Sequence, residues 1–208
     1  FIKNNFRLNF FRKIIISYLK FFLKFKNLYF IVQNRDDEIF FNNIFKLKKT
    51  NLRVIRGSGI DINYFKYNSA KVKREVRLAY AGRILEDKGI LCLIKAFKIA
   101  KAKNENLSLY IAGSLDEENP SSISKKYFKS IIGFKDIYYL GKVDNIKKYW
   151  QEADIAVLLS KREGLPLSLL EAAAIGRPII STDVTGSREI AIHNYNAINI
   201  EVGDIHEC

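Results

Sequence analysis

Two cationic side chains flank a short loop where they could bind an anion together. Gly82-Arg83 follows a short apolar run, and Lys88-Gly89 opens a lysine-rich segment. Arginine binds phosphate oxygens in a bidentate manner, and lysine adds a compact positive charge. The pair predicts a pyrophosphate site, and it would also stabilise the charge that develops on a pyrophosphate leaving group. Two ordinary surface cations are the alternative interpretation.

Two carboxylates frame the beginning of a predicted helix. Glu163 precedes the segment Gly164-Leu165-Pro166-Leu167, and Glu171 follows within the helix. Pro166 suits the first turn of a helix, and the free N–H groups around it would face phosphate or sugar oxygens. A carboxylate among apolar residues needs a partner, and the hydroxyl groups of a ribose are suitable donors to Glu171. A solvated position on an amphipathic helix is the alternative for Glu171.

A pair of glycines precedes these motifs, in the segment Gly57-Ser58-Gly59. Glycines let a backbone approach a ligand closely, although a plain turn is the commoner explanation. The two histidines, His193 and His206, lack the spacing of metal ligands, so we expect no metal site. The two cysteines lie far apart in the sequence, which argues against a disulfide framework and fits a reducing compartment.

Apolar, strand-like runs alternate with helical patterns from about residue 77 onward. The predicted strands cover residues 78–81, 107–112, 136–140, 154–159, 178–182 and 197–202, and the predicted helices cover residues 88–103, 124–132, 146–151, 165–175 and 187–192. Strands this apolar are buried on both faces, and the alternation is typical of a parallel sheet with helices on each side. We therefore predict a doubly wound, Rossmann-like α/β domain. Such sheets bind ligands beyond the carboxyl ends of their strands, where the two cations and Glu163 occur.

The beginning of the chain has a different organisation. Predicted strands at residues 28–32 and 52–55 flank a predicted helix at residues 36–45, which is typical of the tail of a preceding α/β unit. We assign residues 1–62 to the remnant of a first domain and the start of a linker, and residues 63–208 to a second domain. The fold is thus expected to be incomplete at both ends.

Positive charge is concentrated in this first part. The net charge of the chain is +13, and residues 1–60 hold thirteen Lys or Arg against three Asp or Glu. A predicted helix carries apolar side chains on one face and lysines on the other, namely Ile14, Tyr18, Phe21, Phe22 and Phe25 against Lys13, Lys20 and Lys24. The lysines interrupt the run too often for a membrane-spanning helix. We prefer a helix packed on a sheet to peripheral attachment to an anionic membrane, and nucleic-acid binding is not expected.

Taken in the order in which they follow one another along the chain, the motifs resemble those of the family 4 glycosyltransferases. These are retaining enzymes with two Rossmann-like domains in the GT-B arrangement. The likeness rests on Gly57-Ser58-Gly59-Ile60-Asp61, on Ala81-Gly82-Arg83 with Lys88-Gly89, and on the stretch from Glu163 to Glu171. It continues through Arg177-Pro178-Ile179-Ile180 and residues 186–189, and it covers about residues 30–204. The chain is thereby expected to hold the C-terminal, donor-binding domain and a remnant of the N-terminal domain.

The resemblance implies a role for each motif. Arg83 and Lys88 would hold the donor diphosphate and assist its departure, with Gly82 among the donor-binding residues. Glu163 would contact the transferred sugar, helped by the amides of residues 164–167. Glu171 would bind the ribose, and residues 57–59 would border the phosphates. Catalysis is thus assigned to Arg83, Lys88 and Glu163, with no metal ion and no other cofactor.

The resemblance also implies a reaction. A sugar would pass with retention from a nucleoside diphosphate sugar, a UDP-sugar sooner than a GDP-sugar, to a glycan or polyprenyl-linked acceptor in surface polysaccharide biosynthesis. A nucleotide-sugar 2-epimerase of related fold and a non-catalytic nucleotide-sugar-binding module are the alternatives. The expected location is the cytoplasm, with the inner face of the cell membrane as the site of any peripheral contact. The resemblance also implies that most of the first domain is missing from this sequence, so that the chain could bind donor yet fail to transfer sugar.

Overall fold

A computed structural model describes residues 6–23, 28–46, 51–69 and 75–206 of the chain. The helices are α1 Phe6–Phe22, α2 Arg35–Phe45, α3 Ile90–Lys103, α4 Lys125–Ile132, α5 Ile146–Glu152 and α6 Leu167–Ile175. The strands are β1 Phe30–Val32, β2 Leu52–Val54, β3 Val76–Ala81, β4 Leu107–Ala112, β5 Ile137–Gly141, β6 Ile155–Leu158, β7 Ile179–Thr182 and β8 Ala197–Ile200. Short 3-10 helices occupy Glu86–Lys88 and Ser187–Glu189.

The chain divides into two compact units, Phe1–Arg56 and Gly57–Cys208. The predicted domain boundary after residue 62 lies a few residues beyond this division, in a stretch without helix or strand. In the second unit, six parallel strands form one sheet in the order β5-β4-β3-β6-β7-β8. This order is that of a doubly wound Rossmann-like sheet, and it confirms the predicted fold class.

The strands that carry the candidate site are buried on both faces. Tyr80 in β3 and residues 156–158 in β6 are at most 3% exposed. Leu93 and Phe97 of α3 and Trp150 of α5 are also almost wholly buried, on helices that cover the sheet. Burying each large apolar side chain contributes about 1.5–3 kcal/mol, so the strand ends project from a rigid core.

Several helix boundaries differ from the sequence prediction by one or two residues, and the beginning of α6 shows a local reason. Helix α6 begins at Leu167 and not at residue 165, because Pro166 has extended backbone with ψ 108° and acts as the N-cap. Its predicted end is confirmed, since Gly176 adopts the left-handed conformation with φ 87° and terminates the helix. The predicted helix at residues 187–192 is reduced to the 3-10 turn Ser187–Glu189.

The first unit contains a small strand–helix–strand element, as the sequence predicted. Strands β1 and β2 pair in parallel, and α2 connects them. The Asn34 side chain caps α2 by accepting a hydrogen bond from the backbone N–H of Asp37 at 2.8 Å. Acidic residues in the first turn of α2 complement the positive end of the helix dipole.

The predicted packing of α1 on a sheet is wrong for the described residues. Ile14, Tyr18 and Phe21, which define its apolar face, are 48%, 62% and 55% exposed. The sheet of this unit consists of two three-residue strands, which are too short to cover a helix of 17 residues. Phe25 and Lys24 lie outside the described residues. Within the described part of the chain, no helix has the length and apolar character needed to cross a membrane.

Candidate functional site

The candidate site lies at the carboxyl edge of the six-stranded sheet. Strands β3 and β6 are neighbours there, and the strand order reverses between them. The chain leaves β3 toward Arg83 and leaves β6 toward Ser160 and Glu163. At such a switch point the connections depart to opposite faces of the sheet and open a crevice for a ligand.

The predicted lysine and the first predicted glutamate form a close ion pair. Lys88 Nζ lies 2.7 Å from Glu163 Oε1 and 2.8 Å from Oε2. The two side chains are 24% and 8% exposed, so this pair is largely removed from water. The structure therefore brings together two residues that lie 75 positions apart in the sequence.

A serine that the sequence argument did not single out completes this cluster. Ser160 is fully buried, and its Oγ donates a hydrogen bond to Glu163 Oε1 at 2.6 Å. Thr182, at the end of β7, donates in turn to the Ser160 carbonyl at 2.5 Å. The only sequence signal was the position of Ser160 between an apolar strand and Glu163. These bonds fix the orientation of the Glu163 carboxylate.

The loops that carry Lys88 and Glu163 are tied to each other by their backbones. The Lys161 N–H donates to the Asp87 carbonyl at 2.8 Å, and Lys161 Nζ lies 3.2 Å from carboxylate oxygens of both Glu86 and Asp87. Gly89 has a φ of 73°, and a Cβ added there would lie 1.9 Å from the Leu159 carbonyl oxygen. Only glycine allows so close an approach of the two loops.

Arg83 is arranged differently from Lys88. Its side chain is 57% exposed and forms an ion pair with Asp116, with 2.9 Å between Arg83 Nη1 and Asp116 Oδ2. An exposed pair of this kind contributes about 0–1 kcal/mol. An anionic ligand could therefore draw the guanidinium away from Asp116 at little cost.

Tyr80 supports the backbone of Arg83 from within the core. Its hydroxyl donates to the Arg83 carbonyl at 2.7 Å, and the Tyr149 hydroxyl lies 2.8 Å from the Tyr80 carbonyl. Burial, first of all, raises the pKa of Tyr80; the negative charge of Glu163 raises it further, whereas Arg83 lowers it. The Tyr80 hydroxyl thereby holds the Arg83 backbone close to the carboxyl end of β3.

Two further glycines bring distant segments to the loop of Glu163. A Cβ on Gly57 would lie 2.7 Å from Leu165 Cδ2, so the Gly57-Ser58-Gly59 segment packs against the segment that follows Glu163. Ser58 and Gly59 are exposed beside it. Gly186, with φ 84°, would place a Cβ 2.3 Å from the Gly164 carbonyl oxygen. The loop after β7 thus supports the segment that precedes α6.

The second predicted glutamate is not a freely solvated residue. Glu171 is partly buried on α6, and its Oε2 accepts a hydrogen bond from Trp150 Nε1 at 3.0 Å. Burial raises the pKa of Glu171, and the indole N–H opposes this rise. In the described ranges, no group of three or more His, Cys, Asp or Glu side chains could hold a metal ion.

A family model for the group 1 glycosyl transferases matches residues 62–208, which include the whole six-stranded sheet and every side chain of the cluster above. The chain belongs to the group 1 glycosyltransferase family. The Gly57-Ser58-Gly59 segment lies just ahead of the matched region.

Two curated relatives of this group 1 glycosyltransferase are bacterial proteins that are named as sugar transferases. The capsular polysaccharide biosynthesis glycosyltransferase CapM of Staphylococcus aureus is 28% identical over 155 residues, which cover 71% of this chain and 40% of CapM. The N,N'-diacetylbacillosaminyl-diphospho-undecaprenol alpha-1,3-N-acetylgalactosaminyltransferase of Campylobacter jejuni is 28% identical over 210 residues, with 95% and 53% covered. The chain spans about half the length of these relatives.

Solved structures show the same fold. A glycosyltransferase from Rickettsia africae matches with a TM-score of 0.77 at 17% identity, over 91% of this chain and 54% of that protein. HepE of Anabaena, crystallised with UDP and glucose, matches with a TM-score of 0.69 at 19% identity, over 85% and 50% of the two chains. At these identities the likeness shows the fold alone, and it places this group 1 glycosyltransferase in the GT-B class.

Proposed function

We propose that this chain supplies the donor-binding part of a retaining, metal-independent glycosyltransferase that uses a nucleoside diphosphate sugar. The observation that carries the proposal is the cluster at the switch point between β3 and β6. Lys88 and Glu163 are paired there, and Arg83 lies on the loop that leads to Lys88. One site thus holds two cations for a diphosphate and a carboxylate for a sugar.

In the proposed reaction, the bond between the anomeric carbon and the diphosphate breaks. A bond to the acceptor oxygen forms on the same face of the sugar, and the departing phosphate oxygen takes the acceptor proton. Arg83 and Lys88 would stabilise the negative charge that grows on the diphosphate, without a metal ion. Glu163, held by Ser160, would orient the sugar hydroxyl groups.

The names of the relatives support the proposed substrates. The Campylobacter jejuni relative is named for an undecaprenol-linked acceptor, and CapM is named for capsule biosynthesis. HepE and the structural neighbour TarM were crystallised with UDP. We therefore propose a UDP-sugar as donor, a hexosyl group as the moiety transferred, and a glycan or polyprenyl-linked acceptor of surface polysaccharide biosynthesis. The transferase names favour this reaction over the epimerase and the non-catalytic alternatives.

Titration calorimetry of the chain with UDP and with GDP tests the nucleotide site. We expect UDP to bind more tightly than GDP, and Arg83→Ala to weaken UDP binding by roughly 10- to 100-fold, because it removes hydrogen bonds to a charged group. Asp116→Ala is the matched control, since it removes the partner of Arg83 and leaves the guanidinium in place. Equal UDP affinity in the wild type and in Arg83→Ala would refute the assignment of Arg83.

Peripheral contact with an anionic membrane, at the cytoplasmic face, is part of the proposal. The exposed apolar face of α1 and the positive charge of residues 1–60 support it. In co-sedimentation with vesicles that contain phosphatidylglycerol, the double variant Tyr18→Ser/Phe21→Ser should lose at least about tenfold in binding, because two exposed aromatic side chains no longer insert. Tyr195→Ser, which removes an 84% exposed tyrosine of the second unit, should bind like the wild type. If the double variant binds the vesicles as well as the wild type does, the apolar face of α1 is not the membrane-binding surface.

A further inference from the structure

Trp150 is the only tryptophan of the chain. It lies on α5 and is 1% exposed. A buried indole N–H needs an acceptor, and Trp150 Nε1 has one in Glu171 Oε2, at 3.0 Å. Helix α5 packs directly against α6, which carries Glu171. The most buried aromatic side chain of this helix pair is thus bonded to the carboxylate that the proposed function assigns to the ribose.

This bond leaves one half of the carboxylate for a ligand. In the described parts of the chain, Trp150 is the one hydrogen-bond donor to Glu171, and it holds Oε2. Oε1 has no hydrogen bond there, and it is not enclosed by the protein. The adjacent residues Leu170 and Ala172 are apolar, and Ser168, one turn earlier in α6, makes no hydrogen bond to Glu171 among the described residues. Without Trp150 the glutamate side chain would rotate among several rotamers, and a ligand would have to order it.

We propose that Trp150 is a positioning residue, which directs Glu171 Oε1 toward the hydroxyl groups of a bound nucleoside. The fluorescence of its indole should then change when a ligand binds to this carboxylate. The inference rests on the proposed function, because it presupposes a nucleotide at this edge of the sheet. Trp150 itself does not touch the ligand. It acts through the orientation and the charge of Glu171.

The electrostatic surroundings of Glu171 are simple enough to test this role. Burial raises the pKa of Glu171, and the Trp150 N–H, which stabilises the ionised form, lowers it. Strands β6 and β7, which pack against α6, carry no titratable side chain. Helix α5 carries several, and none of them contributes to the pKa shift of Glu171: Lys147, Lys148, Tyr149 and Glu152.

The sign of the pH effect follows from this arrangement. Ribose hydroxyl groups donate to the ionised carboxylate, so nucleotide binding weakens as the pH falls through the pKa of Glu171. Removing the indole N–H raises that pKa further, since one stabilising hydrogen bond to the charged form is lost. The acid limb of the binding profile should therefore move to higher pH when Trp150 is replaced by phenylalanine.

The test is calorimetric titration of the chain with UDP from about pH 4 to pH 8, a range that begins near the ordinary pKa of a glutamate carboxyl and extends well above it. Trp150→Phe should weaken UDP binding by roughly 3- to 30-fold at neutral pH. It should also shift the acid limb upward by about 0.5–1 pH unit. In Glu171→Gln this limb should be absent, and whatever pH dependence remains belongs to the phosphates of UDP. Subtracting that remainder gives the pH dependence of UDP binding that is due to the Glu171 carboxylate.

Tyr149→Phe is the matched control for packing. It removes a buried hydroxyl from the adjacent position of α5, and this hydroxyl bonds to the Tyr80 and Tyr110 carbonyls and not to Glu171. Its effect on affinity should be the same at every pH. A Trp150→Phe profile that is parallel to the wild type, like that of Tyr149→Phe, would show that Trp150 only fills space.

Fluorescence gives a second readout that packing alone would not produce. Because Trp150 is the only tryptophan, the indole emission of the wild type should change on saturation with UDP, and the change should follow the same acid limb. Constant emission at saturation would contradict this part of the proposal. No UDP binding by the wild type would refute the proposed function itself. Normal UDP binding with an unshifted limb in Trp150→Phe would refute only the positioning role.

Discussion

Gly89→Ala should destabilise the second unit by roughly 2–6 kcal/mol in the free energy of unfolding. Two effects add at this position. Gly89 has a φ of 73°, which strains a residue with a Cβ, and the new Cβ would lie 1.9 Å from the Leu159 carbonyl oxygen. That oxygen belongs to the backbone and cannot move aside as a flexible side chain would. The loops of Lys88 and Glu163 would have to separate.

Urea denaturation measures this effect, and Gly203→Ala is the matched control. Gly203 has a φ of 89°, but a Cβ there would meet no atom within 4 Å. It should therefore show the conformational strain alone, about 1–2 kcal/mol. The difference between the two variants reports the contact between the loops. Equal destabilisation would show that the loops do not pack as closely as the structure places them.

Removing the Lys88 ammonium should affect both stability and nucleotide binding. In Lys88→Met the Glu163 carboxylate, which is 8% exposed, keeps only the hydroxyl of Ser160 as a hydrogen-bond partner among the described residues. We expect a loss of roughly 2–4 kcal/mol in the free energy of unfolding, less than for a fully buried pair because 24% of the Lys88 side chain is exposed. UDP affinity should fall by roughly 10- to 100-fold, because the phosphates lose a charged donor.

The double variant Lys88→Met/Glu163→Leu separates these two effects. It leaves no unpaired charge in the cluster, so its stability should return to near that of the wild type, as for other buried pairs replaced by apolar residues. UDP binding should stay as weak as in Lys88→Met, since the ammonium is still missing. Urea denaturation and calorimetry on the same samples check both statements. Recovery of UDP binding in the double variant would show that Lys88 does not bind the nucleotide.

Much of the fold could be predicted from local patterns in the sequence. The strands read as unbroken apolar runs because both faces of a central parallel strand are buried, and each predicted strand of the second unit is present in the structure. Gly176 predicted the end of α6 because a left-handed residue closes a helix. The less accurate boundaries have equally local causes, such as the extended conformation of Pro166 at the beginning of α6.

The candidate site was only partly predictable. The residue types of Arg83, Lys88 and Glu163 indicated a place for a diphosphate and a sugar, because their chemistry is independent of the rest of the chain. Their pairing was not evident. Arg83 bonds to Asp116, whereas Lys88 bonds to Glu163, although both cations lie in the same short loop. The direction of each side chain depends on which strand ends beside it.

The sequence by itself determined the order of strands and helices and the chemical character of the residues at the strand ends. The tertiary structure alone decided the contacts of Ser160 with Glu163, of Trp150 with Glu171, and of Gly89 with Leu159. It also decided that the apolar face of α1 is exposed in the described residues. Periodicity acts over a few neighbouring residues, so it is visible in the sequence. Contacts between separate elements follow from the order of strands in the sheet, which local patterns do not specify.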